Sequence, residues 1–263
     1  MMTDLLPTGF IFHQSNLQAF ENCHFSFYLR YVRKLPWPAP LAERKVTFEK
    51  DVAAGSMFHS LVHQFFLGLE PDLLVSCARE FPDERLSLWI DNFLHSQYAK
   101  IAPNQFAEHI SRIDLDGNLL LAKFDLLRVE QDTLEIFDWK SSRVLPKRNQ
   151  LERRIQTQVY PLVAAMTQAH NPALVRMHYW EAGFPDQPIT FAFDQKAIEL
   201  HRNKIAGLIT LIRSLDADEF LRTTNLKKCA FCEYQSYCAR VGAEGDQESY
   251  ADWVDMGLSE PEG

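Results

Sequence analysis

The sequence predicts an α/β fold: a mixed central sheet flanked by helices, with the N- and C-terminal segments joined by a cysteine cluster. Three observations carry this. Runs with strand character recur at residues 109–115, 118–129, 134–140, 174–181 and 189–193, with helical periodicity before, between and after them. Asp116-Gly117 is a strong hairpin turn between the first two runs. Of five cysteines, three crowd into Lys227–Arg240 while Cys23 stands near the other end. The expected organisation is a domain over residues 1–243 and an acidic, flexible tail over 244–263.

Taken in order, Ser15–Arg33 reads as a helix with Ser15 as N-cap and Cys23 inside it, and Leu17, Phe20, Phe27 and Tyr31 recur at helical spacing. Pro36, Pro38 and Pro40 end it. A second helix, about Val52–Leu69, offers Met57, Leu61, Phe65 and Leu69 as its core stripe. His59 and His63 lie one turn apart on it, but the pair lacks the glutamate of H-E-x-x-H, so zinc-protease chemistry is excluded. Glu70–Lys100 reads as further helix, with Cys77 a small buried hydrophobe. Three strands follow: His109–Leu115, Asn118–Val129 and, after the break at Gln131-Asp132-Thr133, Leu134–Trp139. A helix is expected over about Asn149–Ala169, strands over Leu174–Glu181 and Ile189–Phe193, and a helix over Gln195–Leu215.

The third strand ends on Asp138-Trp139-Lys140. Alternation points Asp138 and Lys140 to one face and Trp139 to the other. Asp125 reaches the same site if the neighbouring strands pair. Two carboxylates suit a hard cation such as Mg²⁺ or Mn²⁺, and the lysine can hold an attacking water or offset phosphoryl charge. An isolated D-x-K is also compatible with an ordinary ion pair at a strand end.

Net charge is −8, but seven acids and no Lys or Arg lie in Glu244–Gly263. The remaining body carries 27 basic against 28 acidic residues, a net of −1. Within it Arg143, Lys147, Arg148, Arg153 and Arg154 cluster after the D-x-K, where a phosphate backbone would need positive charge. No apolar run is long enough to span a membrane, and the N-terminus lacks the features of a secretory signal, so a cytoplasmic protein is expected. In such a chain, Cys229, Cys232 and Cys238 in C-x2-C-x5-C spacing suggest metal or cluster ligation, with Cys23 as the available fourth ligand. Four thiolates suit Zn²⁺ or an iron–sulfur cluster alike.

Gly55-Ser56-Met57-Phe58-His59, Asp125, Asp138-x-Lys140 and Gln156-x-x-x-Tyr160, in that order, resemble the RecB-like branch of the PD-(D/E)XK nuclease superfamily. With Cys23, Cys229, Cys232 and Cys238 the chain resembles the iron–sulfur subgroup, which includes AddB-type nucleases and CRISPR-associated RecB-like exonucleases. The resemblance covers about residues 15–240. It implies a restriction-endonuclease-like core and metal ligation by His59, Asp125, Asp138 and the main-chain carbonyl of Trp139. It further implies Lys140 as the catalytic lysine, Gln156 and Tyr160 as supports of the site and the DNA strand, and a [4Fe-4S] cluster on the four cysteines. Ala122 stands where the family often has glycine, and His24 where it often has proline. The implied activity is metal-dependent cleavage of DNA, by an exonuclease acting on ends or single strands in repair, recombination or CRISPR adaptation. No G-x-x-x-x-G-K-[ST] phosphate loop is present, so any helicase would be a separate partner, as would CRISPR-adaptation proteins. Two alternatives remain: a non-catalytic nucleic-acid-binding subunit of a helicase–nuclease complex, and a zinc-stabilised interaction module.

Overall fold

A computed structural model describes residues 5–36, 42–168, 172–240 and 243–245. The expected tail therefore lies, from residue 246 onward, outside the described residues, as do Pro38 and Pro40.

The chain begins with a short strand, β1 (Ile11–His13), which alternation alone does not reveal because it is only three residues long. Helix α1 (Gln14–Asn22) follows, capped by His13; Ser15 is buried inside the helix and is not its cap. Cys23 is not helical either. Its φ of −164° and ψ of 112° break the path before α2 (His24–Phe27) and a π-helical turn over Tyr28–Val32. His24, in place of the proline, opens α2 with its ring stacked on Phe20 at 3.9 Å.

Helix α3 (Ala42–Phe66) starts well before the expected Val52 and stops short of Leu69. Its buried face is Ala54, Phe58, Leu61 and Val62, whereas Met57 is 37% exposed. The stripe is thus rotated by one residue from the expected one, because Ala54 and Phe58 meet the packed helices. The stretch 70–100 holds two helices, α4 (Pro71–Glu80) and α5 (Arg85–His95), separated where Pro82 and Asp83 interrupt the pattern. Cys77 is exposed on α4, contrary to the buried role expected of it.

Six strands form one mixed sheet in the order β1-β3-β4-β5-β6, with β2 on the other side of β3. Strand β2 (Gln105–Leu115) is antiparallel to β3 (Asn118–Val129) through the Asp116-Gly117 turn, where φ is 55° and 82°. Both angles lie in the left-handed region that a two-residue hairpin of this type requires. Strand β4 (Thr133–Lys140) is antiparallel to β3, while β5 (Leu174–Glu181) is parallel to β4 and antiparallel to β6 (Ile189–Phe193). The crossover carries α6 (Arg148–Arg153) and α7 (Gln156–Met166) where one helix was expected; Arg154 is extended between them. Helix α8 (Gln195–Ser214) is capped by Asp194, whose side chain accepts from Ala197 N at 2.8 Å.

Two apolar layers sandwich the sheet. One, with Phe20, Val159, Val163, Ile205 and Ile209 from α1, α7 and α8, receives Phe124, Ile136 and Met177. The other, with Phe58, Trp89 and Phe93 from α3 and α5, receives Leu126, Phe137, Trp139 and Trp180. Burying side chains on both faces in this way supplies the main drive to fold.

Candidate active site

Strand β3 holds the key irregularity. Phe124 and Leu127 enter the α7–α8 layer, while Leu126 enters the α3–α5 layer, so the two-residue alternation slips at Asp125. The partner strand slips at the facing residue: Ile113 and Leu115 face the α7–α8 layer, yet Ala107 packs against the other. Between them Glu108 adopts φ 50°. A left-handed glutamate in a strand is a strained backbone, and strain of this kind concentrates at functional sites. On its other side β3 pairs with β1 only at residues 119–121 and with β4 only at 126–129. The ladder opens at Asp125, and the Trp139 N–H donates instead to Asp125 Oδ2 at 2.7 Å.

The opening gathers donors from three elements. His59 Nδ1 on α3 lies 3.2 Å from Asp125 Oδ1. With Glu108 they form a set whose ligand atoms all lie within 4.8 Å of one another. Burial works against a charged His59, but the Asp125 carboxylate outweighs it and, with help from Glu108, raises the imidazole above its usual pKa. Burial likewise disfavours ionised Asp125, and is outweighed by His59, Lys140 and the Trp139 N–H, which hold its carboxyl below the usual range. One imidazole and two carboxylates fit a hard divalent cation that keeps positions for water and phosphate.

Asp138 and Lys140 form a buried pair beside this set, with Lys140 Nζ 2.8 Å from Asp138 Oδ2. Gln156 Nε2, at the start of α7, donates to Asp138 Oδ1 at 2.6 Å. Tyr160, one turn on, is buried, and burial together with Asp138 and Asp125 pushes its phenol well above the ordinary value. Strand β5 backs the pair: Glu181 stands opposite Lys140 in register and accepts from Ser142 N at 3.1 Å and Ser142 Oγ at 3.3 Å. Tyr179 OH meets Thr157 Oγ1 at 2.7 Å.

The expected residues thus converge: His59, Asp125, Asp138, Lys140, Gln156 and Tyr160 surround one opening in the sheet. Trp139 sends its side chain into the α3–α5 core and leaves its backbone at the site. Glu108 and Glu181 are additions that residue-type reading missed. The basic cluster is more divided. Arg143 is held by Asp51, with contacts of 2.9 and 2.7 Å, and Arg85 binds the same carboxylate at 2.7 Å. Arg148 lies over Phe191 at 4.4 Å and donates to Thr190 O at 2.9 Å. Arg153 Nε turns back to Asn149 O at 2.8 Å, Lys147 is exposed at the start of α6, and Arg154 follows its end.

Away from this site, Cys23, Cys229, Cys232 and Cys238 line a single cavity, together with Arg240 and Thr223. All four are free thiols. Thr223 N–H donates to Cys23 Sγ at 3.4 Å and Arg240 Nη1 to Cys229 Sγ at 3.2 Å. Burial, then the neighbouring Glu233 and Cys23, pushes the Cys232 thiol up to about 12, and burial followed by its sulfur neighbours raises Cys238. The four cysteines line one cavity, and two of the sulfurs accept from N–H donors, but among the described residues only His59, Glu108 and Asp125 form a compact set of ligand atoms.

A mixed sheet opened at Asp125, with His59 and Glu108 around it and the Asp138–Lys140 pair beside it, is suited to holding a divalent cation next to a buried ammonium. The chain belongs to the PD-(D/E)XK nuclease superfamily, whose family profile matches residues 12–239. No curated protein matches it. Among solved structures it is similar to a "Putative exonuclease" from Eubacterium rectale, at 12% identity over 78% of this chain and 82% of that one, with a TM-score of 0.45. It is also similar to a protein called SSO0001, at 12% identity over 73% and 85% of the two chains, with a TM-score of 0.35. No helix among the described residues is long and apolar enough to cross a membrane.

Proposed function

We propose that this chain is a divalent-metal-dependent deoxyribonuclease of the RecB-like type, acting as an exonuclease on DNA ends or single strands. The observation that carries the reading is the meeting of His59, Glu108 and Asp125 within 4.8 Å, next to the buried Asp138–Lys140 pair. His59, Glu108 and Asp125 would hold Mg²⁺ or Mn²⁺, and Asp138 and the Trp139 carbonyl would add ligands from β4. When bound, the cation supplies Lewis-acid polarisation of the scissile phosphate and lowers the pKa of a bound water. Lys140 directs its ammonium at the attacking oxygen and offsets charge developing on the phosphoryl group. Gln156 fixes the rotamer of Asp138, and the Trp139 N–H fixes that of Asp125, so neither carboxylate must reorganise during the reaction.

Lys147, Arg148, Arg153, Arg154 and the half-exposed Arg143 supply the positive surface after β4 for the DNA backbone. Cys23, Cys229, Cys232 and Cys238 would hold a [4Fe-4S] cluster in their shared cavity, tying the α1–α2 junction to the C-terminal segment. The cellular setting is DNA repair, recombination or CRISPR adaptation in the cytoplasm, with a separate helicase or adaptation proteins as partners.

End-labelled single- and double-stranded DNA, incubated with Mg²⁺, Mn²⁺ or EDTA, tests the activity; shortening that needs the metal and disappears in Lys140→Ala is expected. Retained DNA binding with no cleavage under any metal would instead identify a non-catalytic binding subunit. Metal analysis of anaerobically purified protein tests the cluster: about four irons per chain are expected, and stoichiometric zinc would replace the cluster with a zinc site.

A further inference from the structure

Lys123 sits on β3 two residues before Asp125, opposite Ile110 of β2. From there it reaches diagonally across the strand pair to form an ion pair with Glu108. The lysine side chain is 48% exposed and the glutamate 18%, so the pair stands at the solvent mouth of the metal site. Glu108 is at once the partner of Lys123 and a member of the set with His59 and Asp125. Taking the nuclease reading as its basis, we propose that Lys123 is a substrate-phosphate residue that exchanges places with the metal ion. In the metal-free protein its ammonium is the counter-ion of Glu108. A divalent cation between His59, Glu108 and Asp125 repels that ammonium and draws on the same carboxylate. The lysine swings outward, where its long, half-exposed stem lets it meet a phosphate of the bound strand. Metal loading and DNA binding are thereby linked through one side chain: the charge displaced from Glu108 is the charge that grips the substrate.

The test uses the full-length protein, stripped of divalent metal, as parent, Lys123→Met and Lys123→Arg. Calorimetric titration with Mn²⁺ alone reads the competition. Removing a half-exposed competitor should tighten Mn²⁺ binding of Lys123→Met about two- to fivefold. Binding of fluorescent oligothymidylate, with Ca²⁺ as a non-cleaving cation and with EDTA, reads the second role. With Ca²⁺ the Met variant should bind about threefold or more weakly than the parent, and its salt dependence should be shallower by about one phosphate contact, roughly 0.7 in log–log slope. With EDTA the two should bind alike, because Lys123 is then held by Glu108. Lys123→Arg should restore parental behaviour with Ca²⁺. Weaker Mn²⁺ binding in Lys123→Met would overturn the exchange and leave Lys123 merely positioning Glu108. An unchanged salt slope with Ca²⁺ would remove the phosphate role. A parent that binds Mn²⁺ but no DNA under either condition would strike the nuclease reading itself.

Discussion

Lys140 sits in a nearly closed environment, with Asp138 2.8 Å away and itself fixed by Gln156. Removing one partner of such a pair leaves a buried charge uncompensated, at a cost of about 3–5 kcal/mol. Lys140→Ala should therefore lower the unfolding temperature as well as abolish cleavage, and the two effects must be measured apart. Asp138→Asn keeps a hydrogen-bonding carbonyl for Gln156 or Lys140, so it should be the less destabilising substitution while losing at least about 10²-fold in cleavage. If Asp138→Asn, shown folded by thermal melting, cleaves at the parental rate, Asp138 has no part in the chemistry. Strand alternation made the shared face of Asp138 and Lys140 legible, whereas Asp125 was placed only by the expected pairing of its strand with theirs. Glu108 was not legible, because acids on exposed strands are common and nothing in its own neighbourhood marks it.

At the scale of elements, the hairpin could have found it. A two-residue turn at Asp116-Gly117 fixes the register on both sides, and counting outward by equal steps brings Asp125 opposite Glu108. Starting the strand at His109 stopped the count one residue short. The strand itself begins at Gln105: pairing skips the distorted step at Glu108 and resumes beyond it, with Ala107, Phe106 and Gln105 opposite Leu126, Leu127 and Arg128. The helix breaks were hidden for a related reason: Cys23 and Arg154 are extended for tertiary purposes, and no glycine or proline announces them. The left-handed φ of 50° at Glu108 makes a separable prediction. Glu108→Gly removes a ligand but relaxes the backbone, so it should bind Mn²⁺ more weakly without losing stability. Glu108→Ala removes the ligand and keeps the strain, so it should melt below the glycine variant, the difference being about 1 kcal/mol. Equal Mn²⁺ affinity in parent and glycine variant would exclude Glu108 from the ligand set.

At the scale of the whole molecule, residues 21–35 meet residues 228–234 beside the cysteine cavity, where protein contacts already join them: Arg30 to Glu233 at 3.3 Å, Tyr234 OH to Leu35 O at 3.2 Å and Lys228 Nζ to Glu21 O at 3.2 Å. Cys23→Ser should therefore lose bound metal and lower the melting temperature without preventing folding, whereas Cys77→Ser, exposed on α4, should change neither. C-x2-C-x5-C made this junction legible; the contacts around it required the fold. Stability should also carry a pH signature set by histidines away from the site. Burial, with a nearby cation in each case, depresses His13 (Arg30), His178 (Arg176, then Arg128) and His201 (Lys204) to about 4. The unfolded chain takes up protons on these groups near pH 6.5, while the folded protein does so only near pH 4. Between those values the unfolded state binds more protons, so the folded state is favoured as pH rises. The contribution is fully present above about pH 6.5, is lost as pH falls to about 4, and changes no further below that. Carboxyls held below 3.8, Asp83 and Asp125, act in a lower window. His59, raised above 6.5, acts in the opposite sense and only above that value, so urea midpoints should fall steadily from about pH 6 to pH 4.5. His201 packs its ring against Phe193 on one side of α8, with centroids 5.0 Å apart, and His201→Leu can keep that packing without titrating. The variant should show a shallower decline over the same range, and parallel declines for parent and variant would mean that His201 takes up its proton in the folded protein near its ordinary pKa.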